Sequence, residues 1–253
     1  FYGYLMINGD DKNIKKISKR ISRTQITFGK SRNCDYQIKN INPVRGKQDF
    51  EIFDRKNKKI HKFKINLPGK HNVFNAAASI GVAMEEGIPI SYIKKGISAF
   101  SGVGRRYEKH KIIIKSKEII LIDDYGHHPI EIESNINAYK EEYPKKKVCM
   151  IFQPHRFSRT AQLFDDFIKV LAKADSLILL DIYSASEKPI RGINSRAILE
   201  TIKQKGHKDV TYVKNHDDVI NLINDKKDYF DIVVTQGAGS VSKVCESIKH
   251  KWK

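Results

Sequence analysis

The stretch that decides the fold is residues 118–139, which read EIILIDDYGHHPIEIESNINAY. The apolar run at its start predicts a buried strand, and the apolar spacing after Pro129 predicts a helix. Between them stand two acids, an aromatic residue, a glycine and two histidines. So many titratable side chains directly after a buried strand indicate a metal site, a catalytic pair, a nucleotide pocket or a helix cap.

The same strand-and-helix rhythm continues to the end of the chain. Apolar strands are predicted at 118–124, 146–152, 176–182, 210–213 and 231–237. Amphipathic helices are predicted after them at 129–143, 158–174, 194–206, 217–227 and 240–252. Strands and helices that alternate at this spacing predict a doubly wound, Rossmann-like α/β sheet that is mostly parallel, with right-handed connections.

The earlier part of the chain has a different pattern. Residues 24–67 alternate between apolar and polar side chains and predict short strands with one solvent-exposed face. Two helices are predicted next, at 71–87 and 90–100, and the SGVG stretch that follows reads as a hinge. We therefore expect two domains, a mixed α/β domain at 1–103 and the Rossmann-like domain at 104–253.

Composition narrows the protein class. The net charge is +18, but the lysines occur on nearly every segment and are not interleaved with aromatic residues, which favours solvated surfaces over a nucleic-acid interface. Cys34, Cys149 and Cys245 are isolated from one another and predict neither a disulfide framework nor a CxxC zinc site. With no apolar run of membrane-spanning length and no signal-peptide pattern, we expect a cytoplasmic protein. The start at Phe1 reads as the middle of a fold, so we expect a fragment or a processed chain.

Four loops follow predicted strands and carry most of the unusual residues. They are DDYGHHP at 123–129, QPHRFSRT at 153–160, YSASEKPIRG at 183–192 and QGAGS at 236–240. In parallel α/β sheets, ligands bind outside the carboxyl ends of the strands. We therefore expect these loops to form one site, although the glycine-rich turn is weak evidence alone.

The first of these loops has two interpretations. A metal site is disfavoured, because adjacent side chains in extended backbone point in opposite directions and no spaced third ligand follows. One aspartate suits ribose hydroxyls, since a carboxylate accepts two hydrogen bonds. Alternatively, Asp123 or Asp124 is a buried structural acid, and His127 or His128 caps the helix that Pro129 begins.

Arg156 and Arg159 lie three residues apart where the second loop enters a helix. Arginine forks bind carboxylates and phosphates with two hydrogen bonds, and a helix start adds backbone donors, so an anion site is expected. His155 could orient a substrate or move a proton. The alternative is a surface arginine pair that forms salt bridges with neighbours such as Asp165.

Asn72 and Asn75 open a predicted helix and could face one ligand together. A carboxamide offers both a donor and an acceptor, which matches an adenine edge, whereas Asn72 could instead be a helix N-cap. The stretch Gly29–Ser31 mimics the end of a phosphate-binding P-loop, but Thr24 stands where the earlier glycine is required. The sequence contains no Walker motif.

In their order along the chain, these motifs resemble the Mur ligase family. The likeness rests on DDKNI, TFG, LPGKHNVFNAAASIGVA, SGVGRRYE, IDDYGHHPIEI, QPHRFSRT, DIYSASEKPI and QGAGS, and it covers essentially the whole chain. It implies that the chain matches the last part of that family's central ATPase domain and its complete C-terminal domain. The family's P-loop lysine and magnesium-binding glutamate have no counterpart in these 253 residues.

The resemblance implies an ATP-dependent, peptidoglycan-precursor ligation. The substrates would be UDP-N-acetylmuramate, L-alanine and ATP, and Mg²⁺ would be held by the preceding part of the enzyme. It further implies that Asn72, Asn75 and Asp124 bind the adenosine, with Tyr125 beside it and Arg106 on the γ-phosphate. The residues around the reacting groups would be Arg106, His127, His155, Arg156 and Arg159.

Two other functions remain open from the sequence. One is a sister ligase that attaches a recycled murein tripeptide to the same nucleotide sugar. The other is a basic, Rossmann-like module that binds nucleic acid. We also expect that this chain releases no phosphate from the three ligase substrates by itself, because the phosphate-binding half of the enzyme would be needed.

Overall fold

The computed structural model describes residues 3–44 and 46–252. The chain divides into two compact units that meet in sequence between Ser101 and Gly102. This division lies two residues before the expected boundary at 103/104.

The first unit is a five-stranded sheet with two long helices and one short helix. Its elements are β1 (Tyr4–Asn8), α1 (Lys12–Ser18), β2 (Thr24–Gly29), β3 (Tyr36–Val44), β4 (Lys47–Asp54), β5 (Lys59–Ile65), α2 (Lys70–Glu85) and α3 (Ile90–Ala99). The strand order is β1-β2-β3-β4-β5. The first three strands are parallel and the last two pairings are antiparallel, so the sheet is mixed.

Helix α2 covers one face of this sheet. Its buried side chains Val73, Ala76, Ala77 and Ile80 recur at helical spacing and join the apolar face of the strands in one core. The alanines let the helix approach the sheet closely, because they add little volume between backbone and strand. Among the described helices, α2 is the longest with 16 residues, and none of them combines enough length and apolarity to cross a membrane.

The second unit alternates strands and helices. Its elements are β6 (Glu108–Ile114), β7 (Lys117–Asp124), α4 (Pro129–Glu142), β8 (Val148–Phe152), α5 (Phe157–Gln162), α6 (Phe164–Leu171), β9 (Ser176–Leu179), α7 (Ser195–Gln204), β10 (Val210–Tyr212), α8 (His216–Lys226), a 3-10 turn (Lys227–Tyr229), β11 (Ile232–Gln236) and α9 (Val241–Lys251). The strand order is β10-β9-β8-β11-β7-β6. Every pairing is parallel except that of β6 with β7, which confirms the mostly parallel sheet.

Both faces of this sheet are buried, as the continuous apolar strands predicted. Alternate residues of β8 enter opposite cores: Met150 packs with α4, α6 and α7, whereas Cys149 and Ile151 pack with α8 and α9. All five residues of β8 are buried. The last strand, β11, inserts between β7 and β8, so residues more than a hundred positions apart become neighbours.

Strand β6 was missed by the sequence reading. It pairs with β7 as a hairpin from Glu108↔Asp123 to Ile114↔Lys117. The connecting residues Lys115 and Ser116 both adopt positive φ values, 44° and 70°. Such two-residue turns normally carry Asn or Gly, so the local sequence gave no hairpin signal. Strand β1 and helix α1 were likewise not predicted.

The helix predicted at 158–174 is two helices. Leu163 breaks it with φ −116° and ψ 23°, which are not helical values, and α6 then begins at Phe164. Neither Pro nor Gly marks the break. The separation lets the short helix α5 follow the loop from β8 while α6 packs Phe167, Ile168 and Leu171 into the core.

The turn between β11 and α9 requires glycine at one position. Gly237 has φ +142°, and a Cβ there would lie 2.7 Å from the Gln153 carbonyl oxygen. That backbone atom cannot swing away as a flexible side chain would. The glycine therefore lets the β11 loop pass against the β8 loop, which is the approach that the carboxyl edge of the sheet depends on.

We predict that Gly237→Ala destabilises the second unit by more than about 2 kcal/mol, because the backbone strain and the contact with Gln153 add together. The matched control is Gly206→Ala. Gly206 also has a positive φ, +91°, but no atom lies within 4 Å of its built Cβ. We expect about 1 kcal/mol there from strain alone. Urea unfolding followed by circular dichroism measures both, and equal losses would contradict the steric argument.

Candidate active site

The four loops all begin at the carboxyl edge of the second sheet. In the parallel register, Gln236 pairs with Asp124 on one side and with Phe152 on the other, and Phe152 pairs with Leu179. The strands β7, β11, β8 and β9 therefore end together. The loops that follow them leave the sheet along the same edge, as predicted from the positions of the unusual residues.

Two adjacent carboxylates, Asp123 and Asp124, end β7, and both are buried. Asp123 accepts hydrogen bonds from Arg105 Nε at 3.0 Å and from Thr235 Oγ1 at 2.8 Å. Burial raises the pKa of Asp123 above its usual range, although Thr235 and Arg105 both favour the charged form. Arg105 also donates to the Gly237 carbonyl at 2.7 Å, so this cation joins the β7 edge to the β11 loop.

Asp124 is held by three donors of the protein. They are the Tyr107 amide at 2.8 Å, the Gly126 amide at 2.6 Å and Gln236 Nε2 at 2.9 Å. The carboxylate of Asp124 is thus a structural acceptor, which was one of the two interpretations of this loop. A carboxylate has about four acceptor positions, and these donors fill three of them.

Gln236 locks the loop after β7. Its Nε2 donates both to Asp124 and to the Gly126 carbonyl, at 2.6 Å, and its Oε1 accepts from Asn135 Nδ2 at 3.0 Å. A Cβ on Gly126 would lie 2.6 Å from Gln236 Nε2. Gly126 is therefore required by a close approach, and it fixes where the next two residues, both histidines, project.

His128 caps α4, as the capping interpretation predicted. Its Nδ1 accepts from the Ile130 amide at 3.3 Å, and Glu131 completes a capping box. Glu131 accepts from the amides of His127 and His128 at 2.9 and 3.1 Å and pairs with Arg106 Nη1 at 3.2 Å. Burial alone would raise the pKa of Glu131, but these donors hold it below its usual value.

An aromatic row runs along the edge from Tyr125 to Tyr183; we call it the edge row. The Tyr125 ring meets His127 edge-on at 5.5 Å between centroids, His127 lies 5.4 Å from His155, and His155 stacks on Tyr183 at 5.4 Å. The guanidinium groups of Arg105 and Arg106 lie 5.2 and 5.6 Å from the centre of the Tyr125 ring. The row therefore links side chains from three separate loops in direct contact.

Arg159 fixes the state of His155. Its Nη1 lies 3.2 Å from both Nδ1 and the carbonyl oxygen of His155. Because a guanidinium only donates, Nδ1 must be the unprotonated nitrogen, and the neutral ring carries its proton on Nε2. Burial lowers the pKa of His155 below its ordinary value, and the nearby His127, Arg159 and Arg156 lower it further.

Arg156 is the N-cap of α5 and adopts φ +72°, a left-handed conformation for a non-glycine residue. Its side chain is exposed. Within the described residues, neither Arg156 nor Arg159 forms an ion pair with Asp165, so the surface-pair alternative is not what the structure shows. Glu187 instead accepts from the Ser158 amide at 2.9 Å and the Ser158 hydroxyl at 2.7 Å, which caps the same helix start.

Asn72 and Asn75 both lie on α2 in the first unit. The N-cap interpretation of Asn72 is wrong, because the helix begins at Lys70 and Gly69 is its N-cap. Asn72 Nδ2 donates to the Pro68 carbonyl at 2.7 Å, which leaves the amide oxygen for other partners. Asn75 is exposed. Their assignment to an adenine stays a prediction.

The structure therefore brings together the predicted residues of the second unit, namely Arg106, Asp124, Tyr125, His127, His155, Arg156 and Arg159. Sequence reasoning missed the side chains that hold them, which are Arg105, Glu131, Tyr183, Glu187 and Gln236. No special pattern distinguishes these from other polar residues, although Glu131 completes a capping pattern before an apolar helix. In the described ranges, no group of three or more His, Cys, Asp or Glu side chains has a metal-binding arrangement.

The chain matches known sequences over its whole length. The sequence model of the Mur ligase middle domain matches residues 1–83, and that of the Mur ligase, glutamate ligase domain matches residues 105–239. A UDP-N-acetylmuramate–L-alanine ligase of Vesicomyosocius okutanii is 40% identical over 253 residues, which are 100% of this chain and 54% of the relative. A ligase of the same name from Psychrobacter sp. is 37% identical over 249 residues, 98% of this chain and 52% of the relative.

Solved structures agree on the fold. The UDP-N-acetylmuramate-alanine ligase of Thermotoga maritima superposes with a TM-score of 0.75 at 23% identity, over 98% of this chain and 59% of that one. A MurF ligase of Thermotoga maritima in complex with ADP gives 0.71 at 16% identity, over 98% and 53%.

The chain spans about half the length of the curated relatives it matches. The glutamate ligase domain match alone covers more than half of these residues. Together with the two-unit α/β architecture, these matches show that the chain belongs to the Mur ligase family.

Proposed function

We propose that this chain works within a longer, ATP-dependent ligase that joins L-alanine to the lactyl carboxylate of UDP-N-acetylmuramate. The observation that carries the proposal is the edge row, with arginines at its Tyr125 end and against His155, in a chain whose curated relatives bear that activity in their names. An amide ligation of this kind handles two carboxylates and a triphosphate. Arginine forks are suited to such groups.

The proposed reaction has two steps. The lactyl carboxylate attacks the γ-phosphorus of ATP, the bond to ADP breaks, and an acyl phosphate forms. The uncharged amine of L-alanine then attacks the acyl carbon, and inorganic phosphate leaves with the C–O bond electrons. The nitrogen gives up one proton to the departing phosphate or to water. When bound, Mg²⁺ would neutralise phosphoryl charge. We expect its ligands in a part of the enzyme outside this chain.

The cations of the edge would bind the anionic groups. Arg156 has an exposed side chain, whose guanidinium fork suits a carboxylate or a phosphate. Arg106, which pairs with Glu131 at a half-exposed position, would exchange this partner for a phosphate oxygen. The remaining acceptor position on Asp124 would take a ribose hydroxyl.

His155 would act as a donor. With Nδ1 engaged by Arg159, the neutral ring offers the Nε2 proton to an oxygen of the substrate. The lowered pKa of His155 keeps the ring in this neutral form near pH 7. Of the two roles that the sequence left open, the contacts support substrate orientation by His155 more than proton abstraction. His127 lies next to it in the row and would share this substrate.

We predict ligase activity when the chain is joined to the preceding half of the Vesicomyosocius relative, with that relative as the positive control. Phosphate release should require UDP-N-acetylmuramate, ATP and L-alanine together, and mass spectrometry should show the alanyl product. A folded chimaera that is inactive while the relative is active would contradict the proposal. Turnover with a murein tripeptide in place of L-alanine would assign the sister activity instead.

We predict that Arg156→Ala and Arg159→Ala each weaken the apparent affinity of that ligase for UDP-N-acetylmuramate by about ten- to a hundredfold, the value of one charge-assisted hydrogen bond. Arg159→Lys should recover only part of the loss, because lysine keeps the charge but not the fork. The control is Lys205→Ala, which removes a charge after α7, at the opposite end of the sheet. Equal effects of all the alanine variants on KM would contradict a specific anion site.

A further inference from the structure

We propose that Tyr183 is a positioning residue that holds the His155 imidazole in place for the ligase reaction. The role of Tyr183 in the reaction rests on the proposed function, whereas its contacts with His155 are observed in this chain itself. Tyr183 lies on the loop after β9, and His155 lies on the loop after β8. Nothing in the sequence marks this tyrosine as different from its neighbours.

The main chain of Tyr183 holds the residues on both sides of His155. The Tyr183 amide donates to the Pro154 carbonyl at 2.8 Å, and the Arg156 amide donates to the Tyr183 carbonyl at 2.8 Å. These two bonds form an isolated parallel bridge between His155 and Tyr183. The two loops therefore pair once more, three residues beyond the end of β8 and four beyond the end of β9, and this pairing ties the main chain at His155 to Tyr183.

The ring of Tyr183 lies nearly parallel to the imidazole. The centroids are 5.4 Å apart and the planes differ by 15°. On the α9 side, Gly239 provides the room for this ring, because a Cβ there would lie 2.7 Å from both Cβ and Cγ of Tyr183. The tyrosine is thus seated between a glycine and the histidine. It is still 42% exposed, which places it at the surface of the edge and not in the core.

Charged and titratable groups approach His155 from other directions. Arg159 contacts Nδ1 from α5, His127 lies at 5.4 Å on the β7 loop, and Arg156 and Glu187 act through their charges. The Tyr183 ring differs from these groups because it covers one face of the imidazole with apolar surface. Its removal should therefore change the hydration and orientation of His155 while leaving the neighbouring charges in place.

The first test measures His155 directly in this chain. Imidazole resonances are titrated by NMR in the unaltered chain and in Tyr183→Leu, Tyr183→Phe and Tyr229→Leu, with His155→Gln to assign the signals. Tyr229 is the matched control, an exposed tyrosine in the 3-10 turn that precedes β11. We expect Tyr183→Leu to raise the pKa of His155 toward its ordinary value, and Tyr183→Phe and Tyr229→Leu to leave it where it is in the unaltered chain.

A second measurement does not depend on any variant folding. In the unaltered chain, stacked rings should give nuclear Overhauser contacts between the Tyr183 ring protons and the His155 ring protons. Absence of these contacts overturns the inference, and so does a Tyr183→Leu variant whose His155 titrates as in the unaltered chain. Both outcomes are independent of whether the assembled protein is a ligase.

The third test uses the chimaeric ligase described above. If Tyr183 positions His155, Tyr183→Leu should lower kcat/KM by about ten- to a hundredfold, the scale of a misplaced catalytic group, and Tyr183→Phe should retain it. A loss with Tyr183→Phe while His155 titrates normally would mean that the hydroxyl itself contacts substrate, which overturns the positioning role. Normal NMR behaviour with an inactive chimaera would sink the proposed function and leave the stacked pair intact.

Discussion

Two neighbouring carboxylates are buried at the end of β7, and the carboxyl edge of the second sheet is built around their requirements. A buried carboxylate without partners costs several kcal/mol, on the order of the stability of a whole domain, so each must find donors. Asp123 accepts hydrogen bonds from Arg105 and Thr235. Asp124 accepts them from Tyr107, Gly126 and Gln236, and Gln236 also donates to the loop before α4. Successive strand residues point to opposite faces, so the two acids draw donors from both sides of the sheet.

The hydrogen-bond donors of these two carboxylates determine where the histidines, the tyrosine and the arginines of the edge lie. Gln236 reaches Asp124 because β11, the last strand, inserts between β7 and β8. The same glutamine binds the Gly126 carbonyl, and this contact sets the turn that sends His128 to cap α4 and His127 along the edge. Arg105 reaches Asp123 and Gly237 together, which places Arg106 and Tyr125 at the start of the edge row. Structural acids thus organise the edge that carries the candidate site without being its most exposed groups.

The sequence predicted the parallel sheet and the loops at its edge, because the spacing of apolar residues along a short segment is enough to indicate a buried strand or an amphipathic helix. It did not predict the hairpin of β6, because Lys115 and Ser116 form its turn without Asn or Gly. It did not predict the break at Leu163, which neither Pro nor Gly marks. The partners of the site residues were also hidden, since Gln236 and Arg105 acquire their roles from contacts across more than a hundred residues.

Backbone strain at the edge follows from the same constraint. Among described non-glycine residues, positive φ values occur in hairpin turns, at the irregularity within β3, and in the loops of this edge, where they are found at Arg105, Tyr107, Arg156, Ala185 and Ser186. Each costs about 1 kcal/mol relative to glycine. For Arg105 the reason is visible, because glycine would be easier to place but could not neutralise Asp123. For Tyr107, the amide must face Asp124 while its ring is buried against the core. The left-handed turn is the backbone conformation in which both demands are met, and the hydrogen bonds to the buried acids offset its cost.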